Sequence, residues 1–357
     1  MTTPIGPVPS AQVRRYLESL APEVNYWGRD ISGLRKQVHD HALAVRGPLE
    51  HVASVETIKA GGVPSRLYRP RGNEEDVLVW IHGGGWMFGD LDCCEGVARA
   101  LANRAGCAVL AIDYRLAPEH PFPAAFDDSW TAIGWARRNF SKVAVGGDSS
   151  GGNLAAAVAL RARDSRLDLA LQLLVYPVLD STMDTTAKRR FVEMYSNFSG
   201  SRDYGRTTYE RIGYLWDAYV PDELMRQSPV VSPLRAETLC GVSPAIIITA
   251  EHDILRGEAL EYARRLRRDQ VPVEIHDYVG QIHGFIEKLG VMTDAIDAVD
   301  KAGSALRRSF ANRESDRATS AINTPPIGAH QSSDADYDHQ SSRETAWQGP
   351  PSYENQS

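Results

Sequence analysis

The sequence predicts an α/β fold in which a mostly parallel, twisted central sheet is flanked by helices. Three observations support this prediction. Apolar runs without a two-residue alternation, such as Asp76–Ile81, are typical of strands that are buried on both faces of a parallel sheet. Stretches with helical periodicity, such as Cys94–Arg104, alternate with these runs. A chain of 357 residues, 43% of them hydrophobic, is long enough to bury the core of such a sheet.

The predicted elements follow one another in a regular order. Helical segments at Ser10–Leu20 and Asp30–Val45 precede two antiparallel strands, His51–Ile58 and Pro64–Tyr68. The later predicted strands are Asp76–Ile81, Ala108–Ile112, Val143–Val145, Leu169–Val175, Pro244–Thr249 and Val271–Tyr278, and the later helices are Cys94–Arg104, Ala124–Arg138, Asn153–Leu160, Glu258–Arg268 and Val291–Phe310. This order divides the chain into a helical N-terminal segment (1–47), an α/β body (48–311) and a tail (312–357).

An insertion and the tail depart from the alternating pattern. Aromatic residues crowd into a helical insertion at about 178–234, which we expect to lie over the carboxyl ends of the strands, although some rings fill its own small core. The tail is almost free of aliphatic residues and is predicted to be disordered, because it cannot offset its ordering entropy. Within it, Pro350–Tyr353 has the form of a polyproline ligand for a partner's aromatic groove, a pattern that four residues often match by chance.

Charge and cysteine content exclude several function classes. Seven acidic and three basic residues follow Ala311, so −4 of the net charge of −7 belongs to the tail and −3 to the rest. Such a body carries no nucleic-acid footprint. The four cysteines have no metal-ligand spacing and fit a reducing setting. With neither a signal peptide nor a membrane-spanning stretch, the sequence predicts a soluble, cytoplasmic protein.

The first candidate site is the sequence Gly147-Asp148-Ser149-Ser150-Gly151, between a predicted strand and a helix. This spacing is typical of a nucleophile elbow, in which glycines two positions either side of the serine let strand and helix approach closely. Ser149 would then be exposed at the edge of the sheet, with the helix dipole directed at it. The five-residue pattern also occurs in ordinary glycine-rich turns, so other parts of the chain are needed to distinguish a nucleophile elbow from such a turn.

A second candidate is His82-Gly83-Gly84-Gly85-Trp86, which directly follows a buried strand. Consecutive glycines leave backbone N–H groups unshielded, as the binding of an oxyanion requires. The alternative is a flexible turn. The block Asp113–Ala125 is rich in proline and charge, and we expect it to brace a loop; its His120 is not a candidate for catalysis.

Two further side chains complete a catalytic set. Asp253 follows the buried strand Pro244–Thr249, where a carboxylate can orient an imidazole. His283 lies on a glycine-flanked loop after the last strand. The chain order serine, aspartate, histidine, with a glycine loop ahead of the serine, is that of the α/β-hydrolase triad.

On these motifs the chain resembles the hormone-sensitive-lipase family of carboxylesterases, which includes the bacterial family IV esterases, over roughly residues 50–310. The motifs are His82–Gly85, Tyr114–Glu119, Gly147–Gly152, Asp253–Arg256 and His283–Phe285. The chain has Ser150, Ile254 and Gly257 where the family usually has alanine, proline and aspartate. The last two bear on the loop behind Asp253 and leave Glu251 and Glu258 as alternative carboxylates.

The resemblance implies an α/β-hydrolase fold whose acyl site is capped by the N-terminal segment and the insertion. It implies a serine hydrolase of small carboxylic esters, with Ser149 as nucleophile, His283 as base and Asp253 as its orienting carboxylate. Backbone N–H groups of Gly83, Gly84, Gly85 and Ser150 would form the oxyanion hole. His82 and Asp148 would have structural roles, and neither a metal nor an organic cofactor is required.

Other functions remain open at this point. An amidase or deacetylase acting on a biosynthetic intermediate would use the same residues. A ligand-binding receptor of the same fold typically lacks the histidine that His283 provides. The tail could instead recruit a partner to a scaffold, and the sequence leaves open whether the chain forms a homodimer.

Overall fold

The computed structural model describes residues 8–19, 30–72, 75–195 and 204–322, with side chains as far as Ala311 except that of Tyr204. The described residues up to Asp316 form one compact unit. Its single sheet comprises β1 (Ser54–Ala60), β2 (Val63–Arg69), β3 (Asp76–Ile81), β4 (Ala108–Ile112), β5 (Lys142–Asp148), β6 (Gln172–Val175), β7 (Ala245–His252) and β8 (Val273–Ile282).

The strand order is β1-β2-β4-β3-β5-β6-β7-β8. Strand β2 is antiparallel to β1 and β4, and every other neighbouring pair is parallel. All residues of β3, β4, β5 and β6 are buried, because helices cover both faces of their apolar runs. The predicted mostly parallel sheet and α/β-hydrolase fold are therefore confirmed.

Helices alternate with the strands as the periodicity predicts. Those in the described ranges are α1 (Ala11–Ser19), α2 (Ile31–Val45), α3 (Glu95–Ala105), α4 (Ala124–Asn139), α5 (Ser150–Asp164), α6 (Thr186–Met194), α7 (Tyr204–Tyr219), α8 (Arg256–Arg268) and α9 (Thr293–Ile322). Helix α5 packs on β5 and β6, and α8 packs on β7. This arrangement brings the carboxyl ends of the parallel strands to one edge of the sheet.

The aromatic insertion contains α6 and α7 and lies between β6 and β7 in the chain. Trp216 and Tyr219 of α7 are fully buried, and their rings pack on that of Trp86, with centroids 4.5 and 4.4 Å away. Phe191 and Tyr195 stack on each other at 4.3 Å. Trp216 and Tyr219 of the insertion therefore pack on the loop after β3. Phe191 and Tyr195 form a separate, smaller cluster.

The end of the last helix differs from the prediction. The sequence predicts that this helix ends at Phe310 and that a disordered tail starts at residue 312, whereas α9 continues to Ile322. Between Phe310 and Pro325 the sequence contains no proline or glycine, so the backbone can extend the helix. Residues 323–357, including the predicted Pro350–Tyr353 motif, lie outside the described residues. None of the helices in the described ranges combines the length and apolarity needed to cross a bilayer.

Candidate active site

Ser149 occupies a sharp turn between β5 and α5. Its φ of 53° and ψ of −117° are strained for a residue with a side chain. The flanking glycines permit this turn, because a Cβ on Gly147 would lie 2.5 Å from the backbone of Gly151, and one on Gly151 would lie 2.6 Å from the His82 carbonyl oxygen. Strand and helix can meet this closely only without those side chains, as the elbow spacing predicts.

The three predicted reactive side chains meet at the carboxyl edge of the sheet. His283 Nε2 lies 2.9 Å from Ser149 Oγ, and His283 Nδ1 lies 2.7 Å from Asp253 Oδ2. Because an ionised carboxylate only accepts, this contact favours the imidazole tautomer with the proton on Nδ1 and a free lone pair facing the serine. Asp253 is buried and also accepts the Leu255 N–H, whereas the His283 side chain is 31% exposed.

The alternative carboxylates are engaged elsewhere. Glu251 accepts the N–H of Gly280 at 2.8 Å. Glu258 is buried, accepts the N–H groups of Leu179 and Asp180, and lies 3.4 Å from the ammonium group of Lys188. Asp253 is therefore the carboxylate among these three that contacts His283.

Two of the three residues that depart from the family pattern, Ile254 and Gly257, have structural reasons in this chain. Ile254 is 3% exposed and packs into the core, so an apolar side chain suits the position. A Cβ on Gly257 would lie 2.7 Å from the Cβ of Ala187 in α6. Glycine at this position therefore allows α8 and the insertion to approach each other, and the loop still presents Asp253 to His283.

The glycine loop presents bare amides beside the elbow. Within the described part of the chain, the N–H groups of Gly84, Gly85 and Ser150 have no acceptor. The N–H of Gly83 instead donates to Asp148 Oδ1 at 2.9 Å. This contact corrects the prediction for Gly83, since an amide already bonded to a carboxyl group cannot also be a free oxyanion donor.

His82 and Asp148 have structural roles at this loop, as expected from the sequence. The ring of His82 stacks on Tyr114 with a centroid distance of 4.4 Å, and its Nδ1 donates to the Gly83 carbonyl at 2.8 Å. Asp148 is buried and lies near Glu287, which follows His283 in the short 3₁₀ turn Phe285–Glu287. Burial raises the pKa of Asp148 well above its usual range, and the neighbouring Glu287 carboxylate raises that pKa further.

The proximity of Glu287 to Asp148 could not be predicted from the sequence, because no spacing rule relates Asp148 to a residue 139 positions later. The side chain that covers the glycine loop, that of Leu215, could not be predicted from the sequence either. A Cβ on Gly85 would lie 2.6 Å from Cδ1 of Leu215, so this α7 side chain covers the loop directly. The Tyr114–Glu119 block braces its loop, as expected, through two ion pairs. Arg115 pairs with Asp128, and Glu119 pairs with Arg35 of α2.

Known proteins are similar to this chain in both sequence and architecture. A family model described as alpha/beta hydrolase fold matches residues 78–287. The chain is 37% identical to the carboxylic ester hydrolase LipN of Mycobacterium tuberculosis over 78% of its length and 76% of that protein. It is 38% identical to the carboxylesterase NlhH of the same species over 70% of its length and 79% of that protein. The solved structure of a hyperthermophilic esterase from the archaeon Pyrobaculum calidifontis aligns with a TM-score of 0.74 at 32% identity, covering 85% of this chain and 98% of the other. The chain therefore belongs to this alpha/beta hydrolase family, in the branch typified by hormone-sensitive lipase that its motifs resemble.

Proposed function

We propose that the protein is a serine esterase that cleaves small carboxylic esters through an acyl-enzyme formed on Ser149. The observation that carries this proposal is the continuous hydrogen-bond chain from Ser149 Oγ through His283 to Asp253, with distances of 2.9 and 2.7 Å. Relatives named carboxylic ester hydrolase, carboxylesterase and arylesterase support the same reaction class.

In the first half-reaction, Ser149 Oγ attacks the ester carbonyl carbon while its proton passes to Nε2 of His283. Asp253 keeps the other ring proton on Nδ1 and stabilises the imidazolium that forms. The carbon–oxygen bond to the alcohol then breaks, and His283 returns the proton to the departing alcohol. In the second half-reaction, a water molecule attacks the acyl-enzyme by the same proton route and releases the acid.

The charge that develops on the carbonyl oxygen is accepted by the free amides of Gly84, Gly85 and Ser150. Each such donor typically contributes about 3 kcal/mol of transition-state stabilisation. These amides are backbone groups fixed by the elbow and the glycine loop, so little reorganisation accompanies the reaction. Asp148 serves this step indirectly, because it fixes the N–H of Gly83 at the start of the loop.

The proposed cap consists of α1, α2 and the insertion at 178–234. Leu215 lies over Gly85, and the rings of Trp86, Trp216 and Tyr219 form a packed cluster behind it. A roof this close to the oxyanion loop favours a short acyl group over a long chain.

The decisive experiment is hydrolysis of p-nitrophenyl esters of increasing acyl length by the purified full chain. We expect the highest kcat/KM for short acyl groups and loss of turnover in Ser149→Ala, while Ser165→Ala, at an exposed position after α5, retains it. A p-nitrophenyl phosphonate should phosphonylate Ser149 with loss of p-nitrophenolate, which adds the mass of the phosphonyl group to the wild type and to Ser165→Ala but not to Ser149→Ala. Turnover that survives in Ser149→Ala would contradict the proposal, and faster cleavage of matched p-nitroanilides would favour an amidase.

Three expectations from the sequence stay predictions. A reducing, cytoplasmic setting fits the small number of cysteines in a chain of this length. A homodimer is tested by light scattering of the purified chain. Deletion of residues 323–357 should leave esterase turnover unchanged if the tail serves only to bind a partner.

A further inference from the structure

A cluster of three potential metal ligands lies outside the triad, between α2 and the loop that follows the glycine segment. It consists of His39, Asp90 and Cys93, whose ligand atoms all lie within 4.8 Å of one another. His39 Nδ1 lies 2.7 Å from Asp90 Oδ2 and 3.9 Å from Cys93 Sγ. The sequence gives no hint of this group, because His39 is separated from the other two by about fifty residues.

The cluster is organised before any ion arrives. Asp90 Oδ1 accepts the N–H groups of Asp92 and Cys93, both at 2.9 Å, so the carboxylate is held with its other oxygen toward His39. A ligand whose remaining atoms are already hydrogen-bonded is typical of metal centres. The side chains of His39 and Asp90 are 31% and 39% exposed, which leaves room for a water ligand and a path for entry.

The distances suit a small tetrahedral ion. With usual zinc bond lengths, tetrahedral ligand atoms lie about 3.3 Å apart for imidazole nitrogen and carboxylate oxygen, and about 3.6 Å apart for nitrogen and sulfur. The first pair must therefore separate slightly from 2.7 Å and the second must close slightly from 3.9 Å. Both adjustments are smaller than a side-chain rotamer change. A thiolate and a carboxylate together neutralise a divalent ion once the Cys93 proton has left for solvent.

We propose that His39, Asp90 and Cys93 bind one divalent transition-metal ion of the Zn²⁺ type, with water as the fourth ligand. The ion fastens α2 to the loop beyond the oxyanion amides. Arg35, one helical turn before His39, already docks α2 there, because its guanidinium donates to the carbonyl groups of Met87 (2.9 Å) and Ala117 (3.0 Å). The metal site would add a second attachment of the same helix, and this attachment would depend on the bound metal ion.

The test is titration of the chelator-treated full chain with Co²⁺, followed by its absorption, and with Zn²⁺, followed by calorimetry. We expect one equivalent of ion per chain, a sulfur-to-cobalt absorption band, and a higher melting temperature with Zn²⁺. Cys93→Ser should lose the band and the thermal shift, and His39→Ala should lose the single strong site. Cys240→Ser and His51→Ala are matched controls at exposed positions and should behave as the wild type.

Circular dichroism establishes that each variant is folded. His39 is partly exposed, so His39→Ala keeps the test valid should Cys93→Ser fail to fold. Absence of stoichiometric binding to the wild type would overturn the proposal and identify the cluster as a hydrogen-bonded contact only. A sulfur band that persists in Cys93→Ser, or strong binding that persists in His39→Ala, would overturn it as well. Esterase turnover is measured separately, so failure of the metal site leaves the proposed function untouched.

Discussion

Two neighbouring glycines of the proposed oxyanion loop should respond differently to the same substitution. Gly84 has a φ of +113°, and a Cβ there would lie 2.6 Å from the carbonyl carbon of Phe88. Gly85 has a φ of +61°, and its Cβ would lie 2.6 and 2.7 Å from the two methyl groups of Leu215. The first obstacle is backbone within the loop, and the second is the end of a side chain from α7.

The expected magnitudes follow from this difference. Gly84→Ala must displace the turn in which the Gly84 carbonyl accepts the N–H groups of Met87 and Phe88, so the amides move away from the oxyanion. Loss of one donor typically lowers kcat by about 10²–10³-fold, or about 3 kcal/mol. Gly85→Ala places alanine in the left-handed region, at a cost of about 1–2 kcal/mol, and pushes against Leu215. Leu215→Ala removes that collision.

The assay is steady-state hydrolysis of p-nitrophenyl acetate, with circular dichroism to establish that each variant is folded. We expect Gly85→Ala combined with Leu215→Ala to recover much of the kcat that Gly85→Ala loses. The same second substitution should do nothing for Gly84→Ala. Wild-type kcat in Gly84→Ala, or equal rescue of both variants, would refute the assignment of these amides and of the roof above them.

Other parts of the site give three more predictions. Asp253→Asn should lower kcat by about 10⁴-fold in the same assay, because the amide no longer selects the Nδ1-protonated tautomer of His283; a loss below tenfold would contradict the assigned geometry. Asp148→Ala should lower the free energy of unfolding by about 1–3 kcal/mol in urea, because it leaves the Gly83 N–H unpaired, whereas Asp148→Asn keeps an acceptor. Since burial, with Glu287, raises the Asp148 pKa from 3.8, the folded chain binds this proton more tightly than the unfolded chain. That stabilisation is complete below about pH 4 and is lost as the pH rises through the folded-state pKa, so stability should fall with pH less steeply in Asp148→Asn. Gly151→Ala should abolish cooperative thermal unfolding by circular dichroism, because its Cβ would collide with the backbone of Ile81 and His82 at the end of β3.

The placement of the candidate residues could be predicted from the sequence where local chemistry dictates geometry. The elbow around Ser149 could be predicted because its turn requires glycine at two specified positions beside a buried strand. The placement of Asp253 and His283 also followed from the sequence, because parallel strands end at one edge of the sheet and both residues directly follow such strands.

Prediction was incomplete where contacts join distant segments. Gly83 was expected to face the oxyanion, but a buried carboxyl group four elements later in the chain takes its N–H. Gly257, which departs from the family pattern, makes sense only when Ala187 of the insertion is seen against it. The prediction that the last helix ends at Phe310 was wrong, because it rested on the polar composition of the residues that follow. Composition indicates whether a segment can form a hydrophobic core, but it does not indicate whether a helix such as α9 continues into that segment.

The sequence by itself determined the layer architecture, the elbow that carries Ser149, the chain order of Ser149, Asp253 and His283, and the glycine loop. These features depend on hydrophobic periodicity and on residues that a turn demands, and both are local properties of the chain. Only the tertiary structure decided which amides remain free, which carboxylate contacts the imidazole, that Glu287 lies near Asp148, and that His39 meets Asp90 and Cys93. Such contacts depend on packing between segments far apart in the chain, and that packing leaves no periodic or compositional trace in either segment.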